Sequence, residues 1–164
     1  MRYQGLLYRA INPIHARQPL SGEGARRYGG RFNPKGMAAL YTSRSVMTAI
    51  REANQIGTLQ PTTLVAYDAD IAPIFDATDA AALAALGVAG ADLSSDDWRA
   101  RMQQEGTAPT QRLAEQLKHL GYAGLHVRSF AKGAGAEDRN IVLWTWGPDL
   151  PTRLLLVDDA HRLG

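Results

Sequence analysis

Residues 21–36 read Ser-Gly-Glu-Gly-Ala-Arg-Arg-Tyr-Gly-Gly-Arg-Phe-Asn-Pro-Lys-Gly, with five glycines, three arginines and one proline. Glycine loses the most backbone freedom on ordering, and proline removes a donor, so this segment is too punctuated for a regular element. It is also too distinctive for a casual linker. Whatever the chain folds into must hold this stretch as a shaped loop between regular elements, which makes it the first place to look for a site.

The flanking sequence supplies those elements. Gly5 to Ile11 reads as a strand that stops at Asn12-Pro13. Ala38 to Ser43 is strand-like, and Ser43 or Ser45 can cap a helix with an apolar stripe of Val46, Ala49, Ile50 and Ala53, ended by Gly57. On that helix Glu52 falls about 110° from the centre of the stripe, at the border between core and solvent, where a carboxylate can look into a cleft.

Thr62 to Asp70 alternates as a strand does, and Ile71 to Phe75 is expected to continue the sheet past a bend at Pro73. Three helices are expected next: a short Ala/Leu helix capped by Asp79 and ending at Gly87, one over Asp96 to Gln104, and one opened by Pro109 with the stripe Leu113, Leu117 and Leu120, stopped by Gly121. Tyr122 to Val127, Ile141 to Trp146 and Arg153 to Val157 return to strand character around a loop at Ala131 to Asp138. Mixed strands and helices with no repeat and no linker predict one domain over residues 1–164, of the α/β or α+β class.

Composition removes several function classes. With no cysteine there is neither a disulfide framework nor a thiolate metal site, and the histidines at 15, 119, 126 and 161 are scattered without metal-ligand spacing, so no metal is expected. The N-terminus leads into a strand instead of a signal peptide, and no apolar run approaches the roughly 18 residues that span a bilayer, so a cytoplasmic protein without membrane contact is expected. A net charge of +2 does not argue for nucleic acid. Fifteen arginines against three lysines favour bidentate recognition of phosphate or carboxylate, although a GC-rich genome produces the same bias.

Familiar nucleotide motifs are absent. Ser21 to Arg27 puts arginine where a dinucleotide fingerprint needs its last glycine, and Gly29 to Gly36 lacks the Lys-Ser/Thr ending of a phosphate loop. No Gly-x-Ser-x-Gly elbow supports a serine hydrolase. A non-catalytic RNA-binding module built on Arg26 to Arg31 is an alternative, but aromatic platforms interleaved with basic strands are not evident, and direct nucleic-acid binding is not expected.

Taken together, Tyr8-Arg9, Leu20 through Asn33, Leu40-Tyr41-Thr42-Ser43, Glu52 and the later Gly121 to Ser129 block resemble the RES domain over nearly the whole chain. The resemblance matches Arg31, Glu52 and Ser129 to the three residues that name that family. It implies an α+β fold similar to ADP-ribosyltransferases, with a mixed sheet flanked by short helices. It further implies a toxin that consumes NAD, partnered by an Xre-like antitoxin covering the active site. The resemblance leaves the destination of ADP-ribose open: a protein, phosphoribosyl pyrophosphate synthetase among them, or water or phosphate. Transfer to a protein is the leading expectation.

On this footing Arg31 and Glu52 are the expected catalytic residues, while Arg9, Tyr41 and Ser129 are expected to bind NAD. Cleaving the nicotinamide–ribose bond builds positive charge on the sugar, which a fixed carboxylate at Glu52 would stabilise. Arg31 and Arg9 would hold diphosphate oxygens; for Arg9, pinning a loop to a nearby carboxylate is an equal alternative. Tyr41 offers a ring face and a hydroxyl, and Ser129 a hydroxyl for ribose or amide. The tryptophans at 144 and 146 read as packing.

Overall fold

β1 (Tyr3–Ile11) buries Tyr3, Leu7 and Ile11, and the chain leaves it through a 3-10 turn at Pro13–His15, where the Asn12 side chain accepts from the Ile14 amide. The structure, a computed structural model, describes residues 1–54 and 60–163. Inside the glycine-rich segment, where no regular element is expected, lies a short helix, α1 (Glu23–Tyr28). It is braced by the Glu23–Arg26 pair one turn apart and stopped at Gly29, whose φ of 74° suits glycine and few other residues. Local punctuation is thus compatible with a single six-residue helix between two glycines.

β2 (Leu40–Ser43) leads into α2 (Val46–Ala53), capped by Ser45, whose hydroxyl accepts from the Thr48 amide at 3.1 Å. The buried face of α2 differs from the expected stripe: Thr48 and Ala49 are buried, whereas Val46 and Ala53 are exposed. The helix is rolled because Thr48 is anchored by a polar partner from another part of the chain, and that roll brings Glu52 toward the sheet. Gly57, expected to end this helix, lies outside the described residues.

β3 (Thr63–Ile71) is followed after Ala72-Pro73 by β4 (Ile74–Asp76). The two do not continue one another. Among the described residues the strands form a seven-stranded sheet in the order β4-β5-β6-β2-β1-β3-β7, with β5 (Gly124–Arg128), β6 (Arg139–Leu143) and β7 (Thr152–Leu156), so β3 and β4 sit near opposite ends. Only the β4–β5 pairing among these is parallel. The sheet curls, since the Met1 ammonium donates to Ile74 O at 2.6 Å and the Ile74 amide donates back to Met1 O at 2.7 Å, tying β1 to the distant edge.

The helices between β4 and β5 are α3 (Ala80–Ala85), α4 (Gly90–Ser94), α5 (Trp98–Glu105) and α6 (Pro109–His119). Asp79 caps α3 and Pro109 opens α6 as the sequence predicts, and Leu113 and Leu117 bury their side chains while Leu120 stays exposed. α4 is an addition to the expected set. Its capping comes from the Asp92 carboxylate, which accepts from the Ala89 amide at 2.9 Å.

Strand alternation divides the core between the two faces of the sheet. Leu7, Leu40, Tyr67, Ile141 and Leu143 pack on one face, and Leu125, Val127, Val142 and Trp144 pack with α6 on the other. Fully burying a leucine-sized side chain contributes about 1.5–3 kcal/mol, so each face is a substantial core and the sheet is a rigid platform. This is an α+β fold with a mixed sheet and short helices.

Candidate functional site

α2 carries Glu52 in its last turn, and three contacts to Asp138 fix where that turn sits. Thr48 Oγ1 and Arg51 Nη1 donate to Asp138 Oδ1 at 2.5 and 2.8 Å, while the Gly135 amide donates to Oδ2 at 2.7 Å. The Thr48 hydroxyl, the Gly135 amide and then Arg51 hold the Asp138 carboxyl below its ordinary range, against the opposing pull of burial. The loop between β5 and β6 therefore clamps the helix.

With the helix clamped, Glu52 Oε1 accepts from Ser129 Oγ and, at 2.6 Å, from Asn140 Nδ2. Asn140 lies opposite Ser43 in the β2–β6 register, and Ser43 Oγ donates to its Oδ1 at 2.7 Å. Ser43 and Ser129 are both buried. A carboxylate on a helix is thus tied to two strands by charge-assisted hydrogen bonds, which are stronger than neutral ones.

Two residues before Ser43 on the same face, Tyr41 organises the glycine-rich loop. Its hydroxyl donates to Asn33 Oδ1 at 2.6 Å and accepts from the Phe32 amide at 3.0 Å. Burial drives the phenol far above its ordinary pKa, with the Phe32 amide and Arg31 pulling more weakly the other way, so the hydroxyl stays protonated and donates. Asn33 is fully buried and spends its amide on Ala25 O and Met37 O at 2.8 and 2.9 Å. Gly30 is required here because a Cβ would lie 2.7 Å from Asn33 Oδ1 and closer still to the Tyr41 hydroxyl. Trp144 and Trp146 tie the same region down: Trp144 Nε1 donates to Phe32 O and Trp146 Nε1 to Leu20 O.

Arg31 leaves this loop across the cleft. Its Nη1 donates to Ser95 O at 2.6 Å and Leu93 O at 3.1 Å, and its guanidinium lies 5.2 Å from the centroid of the Phe130 ring. It therefore caps the carbonyl end of α4 as well as walling the cleft, and part of its donor set is committed to protein. Arg31, Tyr41 and Glu52 line one cavity of about 390 Å³, together with Trp98, Phe130 and Asn140. Ser129 joins them through Glu52.

Arg9 is not brought to this cavity. It has the strand parity of Leu7 and Ile11, which belong to the core on the other face of the sheet, and its Nη1 donates to Pro19 O at 3.4 Å beside the Tyr67 hydroxyl, which donates to the same carbonyl. Its side chain pins the loop after β1. Arg9 does edge, with Tyr8 and Ala10, a second cavity of about 270 Å³ that shares Tyr41 and Glu52 with the first.

The sequence did not single out Asn140, Asp138, Phe130 or Trp98. The clearest signal for Asn140 is its place as a polar residue directly before the apolar run Ile141 to Leu143. His126 is a further buried polar residue, with Nδ1 at 3.0 Å from Asp76 Oδ1 and Nε2 at 3.3 Å from Arg44 Nη1. Arginine donates, so Nε2 accepts and Nδ1 carries the proton to Asp76; burial depresses its pKa despite Asp76. That group braces β4 to β5 away from Glu52. Among the described residues no cluster of three or more His, Cys, Asp or Glu could hold a metal ion, and no helix is long and apolar enough to cross a membrane.

Curated relatives share part of this chain. NAD(+) phosphorylase MbcT of Mycobacterium bovis and of Mycobacterium tuberculosis is 33% identical over 93 residues, covering 50% of this chain and 50% of theirs. The chain thus spans about half the length of the curated relatives it matches. In three dimensions it is similar to a chain in the crystal structure of the M. tuberculosis MbcT–MbcA toxin–antitoxin complex, with a TM-score of 0.67 and 25% identity over 96% of this chain and 84% of that one. Residues 6–161 match the RES domain, and the chain belongs to the RES domain family.

Proposed function

We propose that this chain is an NAD-consuming toxin that breaks the nicotinamide–ribose bond in the Glu52 cleft and passes ADP-ribose to inorganic phosphate. The observation that carries the reading is the Glu52 carboxylate, held by Ser129 and Asn140 at the wall of a cavity lined by Arg31, Tyr41, Trp98 and Phe130. The names of the curated relatives, NAD(+) phosphorylases, support phosphate as the acceptor.

The chemistry follows from charge. As neutral nicotinamide departs, the ribose acquires oxocarbenium character, and a preorganised carboxylate stabilises it; one such group is typically worth about 3 kcal/mol, roughly a hundredfold in rate. Glu52 supplies that group, and its ties to two strands mean that little reorganisation is needed. Tyr41 spends its hydroxyl on the loop, so its contribution to substrate is the ring face. Phe130 and Trp98 add apolar surface for flat bases, and Arg31 places positive charge at the rim for the diphosphate. Ser129 acts on Glu52 in the free protein and can turn toward a ribose hydroxyl.

The partner is an antitoxin that covers the cleft; the similarity to a chain crystallised in a toxin–antitoxin complex supports this. The test is to incubate the purified protein with labelled NAD with and without phosphate. ADP-ribose 1″-phosphate formed only when phosphate is present is expected. Free ADP-ribose in both conditions points to hydrolysis, and label retained on an added protein points to transfer; either overturns the phosphate assignment.

A further inference from the structure

We infer that Asn140 is the residue that positions the Glu52 carboxylate and that Ser43 anchors the far end of the Asn140 amide; this rests on the reading of Glu52 given above. A glutamate side chain has three rotatable bonds, and a single hydrogen bond leaves it free to swing about that contact. Here two donors converge on Oε1 from different strands: Ser129 from the end of β5, and Asn140 at 2.6 Å from β6. Both donors bind the same oxygen, so together they fix where Oε1 sits in the cleft.

An asparagine serves this purpose only in one orientation. Turned over, its Oδ1 would stand against the carboxylate oxygen, two acceptors in contact with no proton between them. The acceptor-only carboxylate thus sets the orientation of the amide, and the buried Ser43 Oγ anchors its other end by donating to Asn140 Oδ1 at 2.7 Å from the position directly opposite in the register. The chain Ser43–Asn140–Glu52 therefore transmits the geometry of the β2–β6 ladder to the carboxylate. Backbone pairing fixes residues opposite one another to within a fraction of an ångström, so a site that must hold a charge still is well served by it.

The prediction concerns turnover more than binding. In the full chain, Asn140→Ala lowers kcat for NAD loss about tenfold with KM changed less than about twofold, because a hydrogen bond to a charged group is lost while the cavity keeps its walls. Asn140→Asp, nearly identical in shape, lowers kcat further because it sets an acceptor against Glu52. Ser43→Ala lowers kcat several-fold, and Ser43→Thr restores most of it. Unchanged kcat in both Asn140 variants overturns the inference, as does a loss of kcat matched by an equal rise in KM and an equal fall in melting temperature across all variants.

A melting-temperature cycle tests the same contact without substrate. Asn140→Asp is expected to lower the melting temperature in the wild-type background and to do so much less in Glu52→Gln, whose amide can donate to the new carboxylate. Equal lowering in both backgrounds contradicts the pairing. If Glu52→Gln consumes NAD at the wild-type rate, the reading of Glu52 fails, and the cycle still reports whether Asn140 and Glu52 are coupled.

Discussion

Ser129 and Glu52 stand 77 residues apart in the chain, yet the Ser129 hydroxyl donates directly to Glu52 Oε1 and accepts from the Ala131 amide at 3.2 Å. One hydroxyl thereby links the carboxylate to the turn that follows β5. Ser129→Ala removes a charge-assisted bond worth about 1.5–3 kcal/mol and is expected to cut NAD turnover about ten- to a hundredfold. Steady-state rates at saturating NAD check this, and a fall of less than twofold would contradict it.

Arg31 has two duties that substitution can separate. Arg31→Ala loses both the α4 carbonyl contacts and the charge at the cleft rim, so KM for NAD rises and amide exchange around Leu93 to Ser95 quickens. Arg31→Lys keeps the charge but lacks the planar guanidinium that lies over Phe130 while its Nη1 donates to both carbonyls, so exchange quickens while KM rises less. The Asp96 carboxylate is almost fully exposed at 3.3 Å, and Asp96→Ala is expected to change stability by no more than about 0.5 kcal/mol.

Tyr41→Phe leaves Asn33 Oδ1 and the Phe32 amide without their partner in a buried setting, at a cost of about 1–3 kcal/mol. Gly30→Ala attacks the same node by volume, since the new methyl meets Asn33 and Tyr41. Both lower the melting temperature by several degrees in calorimetry, and an unchanged value for Gly30→Ala would mean that the loop is not packed as described.

Asp138 gives the protein an acid-sensitive clamp. Its carboxyl is held below the unfolded value of about 3.9, so as pH falls the unfolded chain takes up the proton first. Its contribution to stability is complete above that unfolded value and is lost as pH drops through the lower folded one. Asp138→Asn is therefore expected to flatten the fall in melting temperature below about pH 4 relative to wild type. Parallel curves would show that Asp138 is not the responsible group.

Much of this architecture is legible locally. Pro109 and Gly121 bracket α6, Asp79 caps α3, and the strands alternate as their residues dictate. α1 is hidden because glycines at both ends mask the Glu23–Arg26 brace, and the roll of α2 is hidden because its anchor, Asp138, is 90 residues away from Thr48. Glu52 and the Tyr41 loop can be found from pattern and resemblance, whereas Asn140 emerges only when the β2–β6 register sets it opposite Ser43. Arg9 carries two contacts that its motif alone does not separate: it donates to Pro19 O after β1, and it edges the smaller cavity that also holds Tyr41 and Glu52.

On the proposed function, Glu52 carries NAD cleavage. Following NAD loss with the wild type and Glu52→Gln side by side, in phosphate buffer and at matched melting temperature, tests it most directly. The wild type is expected to consume NAD with release of nicotinamide, and Glu52→Gln, still folded, to lose at least about a hundredfold in rate. Comparable rates for the two proteins, or no NAD loss by the folded wild type, would contradict it.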